Sequence, residues 1–145
     1  MNYQINLANC IFAIHAVLTI SKSMPICKGV LIYPFVYQKK MLSTLANKNK
    51  SNNALEKIII DNPEWFSNFD NIYYSTLPLS INAIQYMKEM EYIDIKDGII
   101  ILIKEFNYNE NMGQEAMKYQ LSSNCISKLL SKPADYLYLN LRITL

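Results

Sequence analysis

The stretch from Leu77 to Glu105, LPLSINAIQYMKEMEYIDIKDGIIILIKE, constrains this chain more than any other. Ala83, Ile84, Met87 and Met90 recur at helical spacing, with Lys88, Glu89 and Glu91 outside that stripe, so the segment begins as an amphipathic helix starting near Pro78 and capped by Ser80. Tyr92-Ile93-Asp94-Ile95 then alternates apolar with polar, as a half-buried strand does. Asp97-Gly98 marks a two-residue turn, because glycine tolerates the positive φ that such hairpins need. Ile99 to Ile103 returns as an unbroken apolar strand, which implies cover on both faces or an exposed adhesive edge.

A helix followed by a hairpin is the pattern of a winged-helix-like module. The expected fold class is mainly α with a small β-hairpin, a single winged-helix-like helical domain over residues 1–145. Around it, Leu7, Cys10, Ile11, Ile14, Val17 and Leu18 predict a helix over residues 6–22 with Asn6 as its cap. Ser23 to Gly29 reads as a loop. Val30 to Ala46 reads as an apolar run turning helical after Pro34. Asn47 to Asn53 is a polar linker, and Ala54 to Ile60 a helix capped by Asn52 or Asn53. Pro63 either breaks that helix or opens the next, and Trp65, Phe66 and Phe69 form a core aromatic cluster. Asn107 to Gly113 is a polar loop, followed by a helix from Gln114 to Ser131 burying Met117, Leu121, Cys125, Leu129 and Leu130. A short helix from Pro133 to about Asn140 precedes an extended tail.

Composition narrows the chemistry. The three glycines, Gly29, Gly98 and Gly113, stand too far apart for a phosphate cradle, so no nucleotide cofactor is expected. Cys10, Cys27 and Cys125 are odd in number, and no pair has Cys-x-x-Cys spacing, which argues against a disulfide framework and against zinc. Reduced thiols and an unbasic N-terminus point to the cytoplasm, and the Cys10–Ile20 apolar run is too short to span a bilayer. The one histidine, His15, sits beside the buried stripe as a hydrogen-bonded core residue, and the carboxylates form no recognisable acid–base pair. No catalytic, metal or cofactor residues are expected.

Net charge is only +2. Lys39, Lys40, Lys88 and Lys96 are candidate phosphate contacts, although solubilising surface lysine is the plainer reading. Glu89, Glu91, Asp94 and Asp97 crowd Lys88 and Lys96 and favour protein over DNA as the wing's partner. Candidate partner-binding residues are Tyr33, Phe35 and Tyr37 in the second helical run and Ile99, Ile101 and Ile103 in the returning strand, each with core packing as the alternative.

The order of segments NLANCIFAIHAVLTI, LIYPFVYQKKMLSTLA, LPLSINAIQYMKEMEYIDIKDGIII and NCISKLLSKPADYLYLNLRI resembles the middle component of bacterial three-component ABC systems, which include Lamassu-type anti-phage defence systems. Ala8 and Asn9, Tyr33-Pro34 with Lys39-Lys40, Ala83-Ile84 with Gly98, and Tyr136 to Leu141 carry the resemblance. Tyr33-Pro34 stands where family members often have Leu-Pro. The resemblance implies a non-catalytic accessory subunit of an anti-phage or anti-plasmid defence complex. Its partners would be an SMC- or ABC-like ATPase and an effector such as a nuclease, with DNA met only through the complex and no membrane involved. The alternative is a stand-alone winged-helix DNA-binding regulator, with a hydrolase fragment as a third reading.

Overall fold

The computed structural model describes residues 3–47, 54–106 and 113–145. The first helix, α1 (Tyr3–Ser21), carries no Asp, Glu, Lys or Arg along its 19 residues. Such a helix is stable only if neighbours cover it. Its second half is so covered, with Ala13, Ile14, Ala16, Val17 and Leu18 all buried. The helix begins before the expected start, so Asn6 lies inside it and is not its cap. It ends at Lys22, whose φ of 68° and amide bond to the Leu18 carbonyl turn the chain out of the helix.

The expected loop after α1 is instead ordered. Ser23–Pro25 forms a strand, β1, and Ile26–Gly29 a single helical turn, α2. The apolar run that follows is helical in two pieces, α3 (Ile32–Tyr37) and α4 (Lys39–Ala46), separated by the extended Gln38. Gln38 Nε2 donates to the Trp65 carbonyl at 2.8 Å and so ties this break to the segment around Trp65. The linker beyond Asn47 and the caps Asn52 and Asn53 lie outside the described residues. Next come α5 (Leu55–Asp61) and α6 (Pro63–Phe66), which Pro63 opens at its first position.

The longest element is α7 (Phe69–Glu89), 21 residues with Pro78 inside it. The helix therefore does not start at Pro78, and Ser80 is an interior residue. Pro78 removes the amide that would bond the Tyr74 carbonyl. Packing overrides that loss, because Phe69, Tyr73, Thr76, Ser80, Ala83 and Met87 are all buried at 4-3-4-3-4 spacing, a continuous seam through the proline. Met90 falls beyond the helix end and is 52% exposed, so it does not extend the seam. Thr76 Oγ1 bonds back to the Ile72 carbonyl at 2.8 Å, which lets a hydroxyl residue occupy the seam.

A left-handed Glu91 leads into β2 (Ile93–Lys96) and β3 (Ile99–Leu102). Asp97 and Gly98 both have positive φ, 53° and 76°, as a two-residue type I′ turn requires. The sheet has three antiparallel strands in the order β1-β3-β2, so the apolar strand β3 is central and both of its edges are paired. The element order and strand order are consistent with a winged-helix-like arrangement.

The loop expected over residues 107–112 lies outside the described residues. Then α8 (Gln114–Leu129) packs along α1, and α9 (Ala134–Asn140) closes the fold, as the sequence predicts. Cys125, Leu129 and Leu130 are buried as expected, but the first half of α8 turns a different face inward. Met117 and Leu121 are 40% and 53% exposed, whereas Ala116, Tyr119, Ser122, Ser123, Cys125, Ile126 and Leu129 are buried. Ser122 and Ser123 return their hydroxyls to the Tyr119 and Gln120 carbonyls at 3.0 and 2.6 Å, which lets small hydroxyl residues occupy a buried face.

The C-terminal segment is bound back by tyrosines. Tyr138 donates to the Cys27 carbonyl at 2.7 Å, which leaves Tyr73 to donate to Tyr138 at 3.1 Å. Tyr74 donates to the Thr144 carbonyl. Burial pushes the Tyr138 hydroxyl above the usual phenol range, and the bond to Tyr73 adds to it.

Candidate functional site: two apolar surfaces around the wing

The two faces of the sheet differ. Its inner face holds Met24, Ile93 and Ile100, all at most 5% exposed, against the helical core. Residues opposite one another on paired strands share a face. On the outer face Ile99 lies between Lys96 and Pro25, and Ile101 between Asp94 and Ser23. Ile99 and Ile101 are half-buried, and Ile103, next in that period-two row, is 60% exposed. Ile99 and Ile101 therefore share one outward apolar face, a stripe with one acid and one base beside it on β2, and the exposed Ile103 continues the apolar surface just past the end of the strand.

The aromatic candidates do not gather. Phe35 is fully buried against Phe69, with ring centroids 5.2 Å apart. Tyr33 is 5% exposed, and burial pushes its hydroxyl up to about 12. Tyr37 is 45% exposed and meets the Tyr33 ring edge-on. Tyr33 and Phe35 are core residues here; Tyr37 keeps an outward surface.

The candidate phosphate contacts are dispersed. Lys39 and Lys40 stand in the first turn of α4, the end of a helix whose dipole disfavours added positive charge. Lys96 is exposed on the outer face of the sheet, on the same strand as Asp94. Lys88 lines a groove with Glu91, Asp94, Lys104, Met90, Ile93 and Ile103, so both signs of charge border the stripe.

A second apolar surface was not visible as a site in the sequence. Leu7, Ile11 and Phe12 on α1, Tyr86 and Met90 at the end of α7, and Tyr92 and Phe106 beside the sheet line a groove of about 590 Å³ without a charged lining residue. Its walls are i, i+4 pairs, Leu7 with Ile11 and Tyr86 with Met90, the spacing of ridges that a third helix packs between. The one sequence signal for it is the charge-free α1, on which Leu7, Ile11 and Phe12 are only half-buried. Met90 and Ile103 carry the apolar surface from this groove towards the stripe.

His15 fixes the groove from beneath. It is fully buried, stacks on Phe106 with centroids 3.6 Å apart, and bonds through Nε2 to the Lys104 carbonyl at 3.3 Å. Burial lowers its pKa below the usual imidazole value, against smaller raising effects of the Lys104 carbonyl and Glu105. Cys10 donates to Ser80 Oγ at 3.9 Å, and burial pushes its thiol up to about 12, far from a reactive thiolate. Among the described residues no three His, Cys, Asp or Glu side chains converge as a metal site, and no helix is long and apolar enough to cross a membrane.

No curated protein and no solved structure matches the chain. The family model for "ABC-three component (ABC-3C) system Middle Component 3" matches residues 6–144, from α1 through the tail beyond α9. A match of that extent takes in the wing, both apolar surfaces and the tyrosine-bound C-terminus, and it shows that this chain belongs to the Middle Component 3 family of ABC-three component systems.

Proposed function

We propose that this chain is the non-catalytic accessory subunit of an anti-phage or anti-plasmid defence complex, joining an SMC- or ABC-like ATPase to an effector such as a nuclease. Family membership makes it a component of a three-component system and implies partnership with the other components. The observation that carries the finer reading is the pair of apolar surfaces meeting near Met90: the uncharged α1–α7 groove and the outward stripe of Ile99, Ile101 and Ile103. A linking subunit needs more than one docking surface. Exposed apolar side chains bordered by mixed charge suit protein partners better than a phosphate backbone. DNA then reaches the subunit only through the assembled complex.

Co-expression with the ATPase and effector of the same system tests this. The wild-type chain should copurify with them, and Met90→Glu, a change at an exposed position, should abolish recovery while helicity stays native. Recovery of the wild-type chain alone would overturn the reading. So would tight duplex binding by the isolated chain that weakens steeply with salt, the mark of a stand-alone DNA-binding regulator.

A further inference from the structure

We infer that the outer face of the wing sheet docks a second copy of this chain, so that the accessory subunit enters its complex as a two-fold pair. The inference rests on the reading of this face as a docking surface and names its occupant. The argument is charge self-complementarity. Asp94 and Lys96 lie on the same face of the same strand, opposite Ile101 and Ile99 respectively. Both are exposed, and among the described residues neither takes part in an ion pair. Among the described residues the Asp94 carboxylate accepts only the neighbouring Ile95 amide, at 2.8 Å.

Stacked sheets lie about 10 Å apart. A two-fold axis between them, perpendicular to the strands and level with Ile100, lays β2 of one copy over β2 of the other with reversed direction. That single operation places Asp94 over Lys96 of the second copy, and Lys96 over its Asp94. It also places Ile99 over Ile101 and Ile101 over Ile99. An isologous interface must be complementary to itself in this way. A surface of single sign could not be. The rim behaves likewise, since Lys88 and Lys104 are mixed there with Glu91.

The patch is small. Three strands at about 4.8 Å spacing and four residues at about 3.3 Å each span roughly 14 by 13 Å, well under the about 800 Å² per partner of a standard interface. The isolated chain is therefore expected to associate weakly and reversibly, with the wider complex holding the pair together.

Sedimentation velocity of the full chain over a concentration series tests the proposal, with circular dichroism as the folding control. Wild type should move from monomer towards dimer. Asp94→Lys and Lys96→Glu should each weaken dimerisation by at least about tenfold, because two attractive pairs become two repulsive ones. An equimolar mixture of the two variants should recover dimer. In the mixed pair both basic side chains of the Asp94→Lys copy face the two carboxylates of the Lys96→Glu copy. A wild type that stays monomeric up to millimolar concentration overturns the inference, and so does a mixture no more dimeric than either variant alone. A monomeric wild type that still copurifies with the ATPase through an Ile101-dependent contact overturns self-pairing alone and leaves the docking reading standing.

Discussion

Ile100 and Ile101 are neighbours on one strand and chemically identical, yet they belong to different parts of the molecule. Ile100 is fully buried, paired across the sheet with Met24 and Ile95 and pressed against Gly29. Ile101 is half-buried between Ser23 and Asp94 on the other face. The same side chain holds the sheet to the helices in one case and presents apolar surface outward in the other. What separates the two roles is the two-residue period of the strand and the presence of a third strand on its far edge.

The largest test of that difference is truncation. Ile100→Ala should cost about 2–5 kcal/mol, the range for deleting buried aliphatic side chains, whereas Ile101→Ala, which removes three partly buried carbons and leaves no enclosed cavity, should cost about 1–2 kcal/mol. Urea unfolding monitored by circular dichroism measures both, and equal losses at the two positions would erase the distinction. A second test presses on the inner face from the opposite side. A Cβ at Gly29 would lie 2.7 Å from Ile100 Cδ1. Because that methyl is confined in a fully buried side chain, Gly29→Ala should cost about 1–3 kcal/mol through overpacking. Pairing it with Ile100→Val, which removes the clashing methyl, should return part of the loss. No recovery in the double variant would mean that the strain lies elsewhere.

The same strand leaves the sheet over His15, and there the expected effect is smaller and depends on pH. Burial holds the folded-state pKa of His15 below its ordinary 6.5. The unfolded chain therefore binds more protons than the folded one once pH falls below that value. The neutral imidazole's contribution to stability is complete above 6.5 and is lost as pH falls towards the depressed folded value. Melting temperature should fall between about pH 7 and pH 5 in wild type, and less steeply in His15→Gln. With one histidine in the sequence, its ring resonances report the titration without overlap. A midpoint at or above the ordinary value would contradict the burial of the ring.

Much of this architecture was legible. The Asp97-Gly98 turn, the mainly helical order and the closing helix after Pro133 follow from local chemistry that no long-range contact had to correct. The third strand was not legible. Ser23–Pro25 is three residues long, contains a proline and shows no alternation. It exists because Leu102 N donates to the Lys22 carbonyl and Ile26 N to the Gly98 carbonyl, contacts between segments far apart in the chain. Ala83, Ile84 and Met87 of α7, with Cys125 and Leu129 of α8 and Leu130 at its end, are buried as their spacing predicts, but the rest of the α7 seam and of the α8 face was hidden for another reason. Thr76, Ser80, Ser122 and Ser123 occupy them, and a reading that places apolar residues inside cannot see hydroxyls that bond to their own helix or to a buried thiol. Of the site, the isoleucine stripe was visible as a run but not as a face. An unbroken Ile99–Ile103 carries no period of its own, and only the pairing partners Asp94, Lys96, Ser23 and Pro25 reveal which isoleucines look outward.

That last point allows the finest test, because the cross-strand neighbour of Ile101 is known. Asp94 lies directly opposite it. Ile101→Lys therefore places an ammonium across from a carboxylate, and Ile101→Asp places two carboxylates face to face. Opposite-charge pairs across a sheet contribute roughly 0.2–1 kcal/mol and like charges remove it. Both variants should fold with native helicity, with the lysine form the more stable of the two by up to about 1 kcal/mol. The order should reverse in an Asp94→Lys background. Both variants lose the outward apolar surface, so both should stay monomeric at concentrations where wild type pairs, whatever their stability. If Ile101→Lys instead unfolds the chain, Ile101 belongs with Ile100, and the two faces of the strand carry one function.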